Sequence, residues 1–243
     1  MKRTIIGQLR LARSSYLLSA AVVLIGGILG TVIFELIMRL EEIHSDDPTT
    51  FEMAFVFGML CYVINFFVSS ISAMGQNFNN TIGMGRTRKN FFIGNTLSCL
   101  INSFASAVAL FIIYLTEQWR LHTWWNAYPC ETNFSRFFTP GVFCFAIILL
   151  AILQEFIGFA ILRFGKKAFW VLWAIWMLGC LGIPRIIDGV QDGKNSPLAS
   201  FGRFLIDAAS KVPTALWFVI GSGIGLVLFL ISYVGFKHQQ VTA

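Results

Sequence analysis

The chain has 243 residues, of which 56% are apolar and only 12% charged, about half the charged share of a soluble domain. Its mean hydropathy is +0.73 and its formal net charge +6, but the cations lie in short clusters between long apolar runs. That placement argues against a nucleic-acid surface and for an orientation signal against anionic headgroups, and no segment between the runs is long enough for a soluble catalytic domain.

Residues 1–16 carry Ile5, Ile6, Leu9 and Ala12 at helical spacing, opposite Lys2, Arg3, Arg10 and Arg13. This pattern predicts an amphipathic helix lying in the membrane interface. Six apolar runs follow, at 17–38, 53–74, 91–115, 140–162, 168–184 and 214–236, each near the ~20 residues that cross ~30 Å of hydrocarbon. The first is too long for the apolar region of a signal peptide and lacks a small-x-small exit, so it reads as a retained span. One side of the resulting layout holds Lys2, Arg3, Arg10, Arg13, Arg86, Arg88, Lys89, Arg163, Lys166, Lys167 and Lys237 with no carboxylate. Cations are retained on the cytoplasmic side, so both termini are expected there. The fold class is an all-α membrane protein of six transmembrane helices, forming a single domain over 1–243.

The loop after the first run holds Glu41, Glu42, Asp46, Asp47, Glu52 and His44. With no second histidine at ligand spacing it reads as a hydrated acidic loop rather than a metal site. Between spans two and three, the stretch from Gly75 to Asn90 is too long for a tight turn and too polar for lipid. Its Asn79, Asn80, Thr81, Ile82, Gly83, Met84 and Gly85, followed by Arg86, Arg88 and Lys89, fit a short cytoplasmic helix, a break and a basic anchor at the inner headgroups. Residues 116–139 form an outer loop rich in aromatics (Trp119, Trp124, Trp125, Tyr128, Phe134, Phe137, Phe138), expected at headgroup level. Within the connection at 185–213, Ser196-Pro197 reads as a helix start, and a short outer helix before span six is expected. The fifth run is the shortest and ends in Gly179, Gly182 and Pro184, which leaves open whether it crosses or re-enters.

Inside the spans, Gly26-x-x-x-Gly30 and Gly221-x-x-x-Gly225 permit close helix approach, within the chain or at a dimer seam. Glu35 lies four residues from Arg39 and is expected to pair with it or snorkel. Glu155 lies deeper, beside Gln154. Intramembrane carboxylates are functional candidates, and both proton coupling and an approach to Arg163 or to water at the inner mouth are consistent with its position. Asn65, Asn95, Asn102, Ser69, Ser70 and Ser103 predict a polar seam between spans two and three. The five cysteines (Cys61, Cys99, Cys130, Cys144, Cys180) are scattered and give neither a disulfide framework nor a metal site. The histidines (His44, His122, His238) lie at loops or ends, with no His-Glu-x-x-His and no phosphate-binding Gly-x-x-x-x-Gly-Lys-[Ser/Thr] loop. The chain is therefore not expected to be an enzyme by itself.

The string Met84-Gly85-Arg86-Thr87-Arg88-Lys89-Asn90-Phe91-Phe92 resembles the G-x-[ST]-R-[KR]-x-[FY]-[FY] stretch of permease subunits of ABC-2-type transporters. The layout resembles them too: a basic amphipathic N-terminal helix, six spans, cytoplasmic ends and an outer helix before the last span. The outer part is compact, as in the small permeases that export, or confer protection against, amphipathic peptides such as phenol-soluble modulins or lantibiotics. The resemblance implies that the segment from Asn79 to Gly85 couples to a cytoplasmic ATPase subunit, which would carry the ATP and Mg. It also implies a second permease copy or a related permease, and a bacterial cell membrane. A gradient-driven transporter or channel using Glu155, and a scaffold or sensor without transport, are the alternatives from other classes.

Overall fold

In hydrocarbon, backbone donors and acceptors must be satisfied within the protein, so a chain of long apolar runs folds as helices. The computed structural model describes residues 12–40, 49–50, 52–83, 87–124, 128–129, 138–191, 211 and 213–238, together with residues 7, 9 and 200. These form α1 (Arg13–Leu40), β1 (Thr49–Thr50), α2 (Met53–Gly83), α3 (Arg88–Trp124), β2 (Tyr128–Pro129), α4 (Pro140–Phe164), α5 (Lys166–Gln191) and α6 (Thr214–His238). The fold is thus all-helical apart from two short strands, which pair in parallel with Thr49 opposite Tyr128 and Thr50 opposite Pro129.

Five helical segments among the described residues are long and apolar enough to cross a membrane: Arg13–Ile37, Met53–Ser70, Arg88–Trp124, Pro140–Phe164 and Ala215–Lys237. Their outer faces carry exposed Leu18, Ile28, Val32, Leu60, Val68, Val219 and Leu226. A surface of this kind suits lipid and would be an aggregation liability in water. The chain is a multi-pass membrane protein. The remaining apolar run, 168–184, lies in α5, which is one unbroken helix through Pro184 but is not among the five.

Two boundaries depart from the sequence expectations. Helix α2 does not end near residue 74 and restart as a separate short helix; it runs unbroken to Gly83. The stretch after Met74 contains no proline, and its Phe78 is fully buried, so burial of that ring favours continuing the helix over a break. Helix α3 passes Leu115 and reaches Trp124, taking in nine residues assigned to an outer loop. The N-terminal interfacial helix falls mostly, and the outer helix after Ser196 almost wholly, outside the described residues, as do Met84, Gly85 and Arg86.

Helix α1 lies against α2 and α3, while α4 packs on α3, α2 and α6, and α5 packs on α4. Close approach of α1 and α2 depends on glycine. A Cβ at Gly30 would stand 2.7 Å from the Ala54 Cα and the Met53 carbonyl oxygen, and one at Gly26 would stand 2.6 Å from Cys61 Sγ. Gly221 faces Phe145, and Gly225 faces Leu149 and Ile152, so both glycine pairs serve contacts within the chain. Helices α4 and α5 are joined by a single residue, Gly165, at φ 59 and ψ −137, whose N–H donates to the Ile161 carbonyl at 2.8 Å. That backbone region is essentially open only to glycine.

Gly30→Ala is expected to destabilise the protein by about 1–3 kcal/mol through overpacking, seen as a lower thermal unfolding midpoint in detergent. Gly223→Ala, whose Cβ meets nothing within 4 Å, should leave the midpoint unchanged.

Candidate functional site

The chemistry-bearing residues gather at three levels along the bundle. At the end where α2 finishes and α3 begins, five phenylalanines form a buried cluster: Phe78 of α2, Phe91 and Phe92 of α3, Phe159 of α4 and Phe236 of α6. Ring centroids of Phe78 and Phe91 are 5.3 Å apart, those of Phe78 and Phe236 5.9 Å, and those of Phe159 and Phe236 5.3 Å. Such edge-to-face and tilted pairs contribute roughly 0.5–1.5 kcal/mol each beyond area burial. Gly235 lies directly against the Phe159 ring, leaving no room for a side chain. Arg88, at the start of α3, donates from Nη1 to the Lys237 carbonyl oxygen at 2.9 Å. It thereby closes α6 with a cation, where the helix dipole favours one.

The residues expected to couple to a partner emerge from this cluster. Asn79, Asn80, Thr81, Ile82 and Gly83 form the last turns of α2, immediately after Phe78. Lys89 is exposed beside Arg88.

One level deeper lies a polar seam between α2, α3 and α4. Glu155 is 1% exposed. Instead of reaching toward Arg163 or inner-mouth water, its carboxylate turns sideways to α3. Both of its oxygens stand 2.8 Å from Thr96 Oγ1. Thr96 Oγ1 is also 3.0 Å from the Phe92 carbonyl oxygen, so carboxylate and carbonyl compete for its single proton. Gln154 Nε2 donates to Ser69 Oγ at 2.8 Å, and Ser69 donates onward to the Phe66 carbonyl at 3.1 Å. Asn102, Ser103 and Ser106 are buried on the same face of α3, and Asn65 is half-buried on α2. Polar groups at this depth bond across helices because lipid offers no alternative.

Thr96 also borders a lateral groove of about 440 Å³ between α3, α4 and α6, walled by Leu100, Phe145, Leu149, Ile152 and Phe229 with Ser222 on its far side. The groove is apolar except at Thr96 and Ser222, and the Thr96 hydroxyl is backed by Glu155.

The opposite end holds charges that apolar patterning placed in a loop. Glu117 Oε1 accepts from the Ala54 N–H at 2.7 Å and Oε2 from the Phe55 N–H at 2.8 Å, so a carboxylate of α3 caps the first turn of α2. Arg120 Nη1 donates to Glu35 Oε1 at 2.6 Å, and Nη2 lies 3.8 Å from Glu117 Oε1. The guanidinium stands 4.6 Å above the Phe34 ring centroid, and Gln118 Nε2 donates to Glu52 Oε1 at 2.6 Å. Glu35 therefore pairs across helices with Arg120 rather than with Arg39 at i+4. A missed signal was present: the buried positions of α3, among them Asn102, Ser106, Ala109, Ile113, Glu117 and Arg120, keep helical spacing past the end of the apolar run. No cluster of metal-ligating side chains exists among the described residues.

No protein-family model, curated protein or solved structure matches this chain.

Glu117→Ala would strand two N–H groups of α2 and remove one partner of Arg120. Chemical or thermal unfolding in detergent should register a loss of about 3–5 kcal/mol. Glu117→Gln keeps one acceptor oxygen and should lose about 1–3 kcal/mol.

Proposed function

We infer that this chain is the membrane subunit of an ATP-driven exporter, resident in a bacterial cell membrane and coupled to a separate ATPase. In this reading it crosses the membrane six times, α5 included, with both termini cytoplasmic. It pairs with a second copy or a related permease around a central path.

The observation that carries the reading is the position of Phe78. The residues resembling the ATPase-docking element of ABC-2-type permeases are the continuation of α2. The last ring before them is buried against α3, α4 and α6. A force applied at Asn79 to Gly83 therefore loads four helices at once. A soluble motor acting on membrane helices needs such a link. The lateral groove beside Thr96 supports an amphipathic cargo, and a peptide is favoured. Its apolar wall accepts a hydrophobic face, and its polar point accepts a donor or acceptor. ATP and Mg would be held by the partner, since the chain has no phosphate-binding loop.

A second reading, gradient-driven transport, draws on the buried carboxylate of Glu155 and its contact with Thr96 beside the groove. The two readings separate by experiment. Purification from native membranes in gentle detergent should co-elute a soluble ATPase with vanadate-sensitive turnover. A folded chain that elutes without one overturns the ATPase-coupled reading. Phe78→Ala should keep the ATPase bound but abolish vanadate-sensitive export in reconstituted vesicles. Glu155→Gln should leave export intact, whereas loss of an ion-driven flux in this variant would establish the gradient-driven alternative.

A further inference from the structure

A second groove lies on the face away from Thr96, between α2, α4 and α5. It encloses about 210 Å³ and is walled by Phe67, Val68, Ile161, Leu172, Trp173 and Trp176. Its wall is aromatic and ordered: the Phe67 and Trp176 rings meet edge-on with centroids 6.2 Å apart. At one end the groove runs onto the single-residue turn at Gly165, where Arg163, Lys166 and Lys167 are all exposed. By helix rise, Arg163 lies about 3 Å along α4 from Ile161, and Lys166 about 10 Å along α5 from Trp173. No carboxylate occurs anywhere between Glu155 and Asp188, so the positive charge at this end is uncompensated within its own hairpin. Phe169 and Trp170, stacked edge-on at 5.7 Å, flank the same end with the aromatic rings that favour headgroup level.

An apolar slot that ends in three cations at a membrane surface has the chemistry of one ligand class. We propose that this groove is a binding site for an anionic phospholipid, with an acyl chain along Phe67, Trp173 and Trp176 and the headgroup phosphate at Arg163, Lys166 and Lys167. The charge selects the lipid: a zwitterionic headgroup carries its own cation into the same cluster and gains less. The backbone fixes the arrangement. Gly165 joins α4 to α5 within one residue, which places cations of both helices at one turn instead of spreading them along a loop. The bound lipid would cover the side of α5 that faces α2, where protein packing is sparse. This site stands independently of the transport reading and requires only that the hairpin turn sit at a membrane surface.

The test is native mass spectrometry of the full chain, delipidated in detergent and titrated with phosphatidylglycerol or with phosphatidylcholine of the same chains. One phosphatidylglycerol should bind with clear preference. The triple variant Arg163→Gln, Lys166→Gln, Lys167→Gln should weaken that adduct roughly 100-fold, each cation near the surface supplying about a factor of five. Trp173→Ala should weaken adducts of both lipids. Arg39→Gln with Lys211→Gln, which removes two exposed cations outside the hairpin, should change nothing. Glycerophosphoglycerol, which has the headgroup without chains, should not compete. Equal binding of the two lipids, equal weakening by the distant pair, competition by the chain-free headgroup, or a lipid-free dimer formed through this face would each overturn the proposal.

Discussion

A helix that begins where hydrocarbon meets water leaves its first N–H groups without intrahelical acceptors, and the cost of stranding them rises as water is excluded. In this protein the first turn of α2 is satisfied by Glu117 from the neighbouring α3. That carboxylate is itself buried, so it needs positive charge, which the helix N-terminus supplies on one side and Arg120 on the other. Arg120 in turn is anchored on α1 by Glu35 and the Phe34 ring. The ends of α1, α2 and α3 are thereby fixed relative to one another by directional, charge-assisted bonds. The glycine contacts between α1 and α2 begin at that same turn, where Gly30 meets Met53 and Ala54, and continue to Gly26 against Cys61, so a one-residue slip would set side chains where the two glycines now stand.

The two ends of the bundle are built from different forces. At one end short polar bonds specify a single geometry. At the other, Phe78, Phe91, Phe92, Phe159 and Phe236 meet as rings, and tilted ring pairs tolerate sliding and rotation better than a bidentate cap does. Between the ends, the seam of Ser69, Gln154, Thr96 and Glu155 pins α4 to α2 and α3 at one depth. Helices α1, α2 and α3 thus form a registered group, α4 is hinged to it through polar contacts, and α5 and α6 lie outermost. Exposed Trp170, Val171, Ile175 and Leu178 on α5, and Val219, Leu226 and Val227 on α6, give those two helices mostly lipid as neighbour.

The helical spans were legible because hydrocarbon imposes a length and an apolar composition on any crossing helix, and both can be counted along a sequence. The positions where charge enters the protein interior were not legible from an apolar window. Glu117 and Arg120 look like loop residues by hydropathy, yet their three-residue spacing continues the buried face through Ile113. Partner choice was equally hidden: Arg39 is nearer to Glu35 in sequence, but Arg120 is nearer in space, and a single chain of letters carries no distance between helices. The polar seam was visible as a set of residue types, with Ser69, Asn102 and Ser103 among them, whereas the sideways turn of Glu155 toward Thr96 depends on how α3 and α4 are rotated. The end of α2 was misjudged for a simpler reason. Asparagine and glycine suggest a break, each costing about 0.7–1 kcal/mol in a helix, but burial of the Phe78 ring, about 1.5–3 kcal/mol, and its pairing with three helices offset that cost.

The unbroken course of α2 has a geometric consequence. Its 31 residues make a rod of about 46 Å at 1.5 Å per residue, well beyond the ~30 Å hydrocarbon thickness. The rod is stopped at its first turn by two bonds of 2.7 and 2.8 Å and gripped near its far end by the Phe78 ring. Between those two points the helix carries no break, so the cap and the ring cluster are joined by one continuous hydrogen-bonded backbone. The cap specifies one position of the first turn, because both carboxylate oxygens are committed to it. The two ends of the bundle are thus held to one helix by unlike contacts, a bidentate cap at its first turn and ring packing at Phe78.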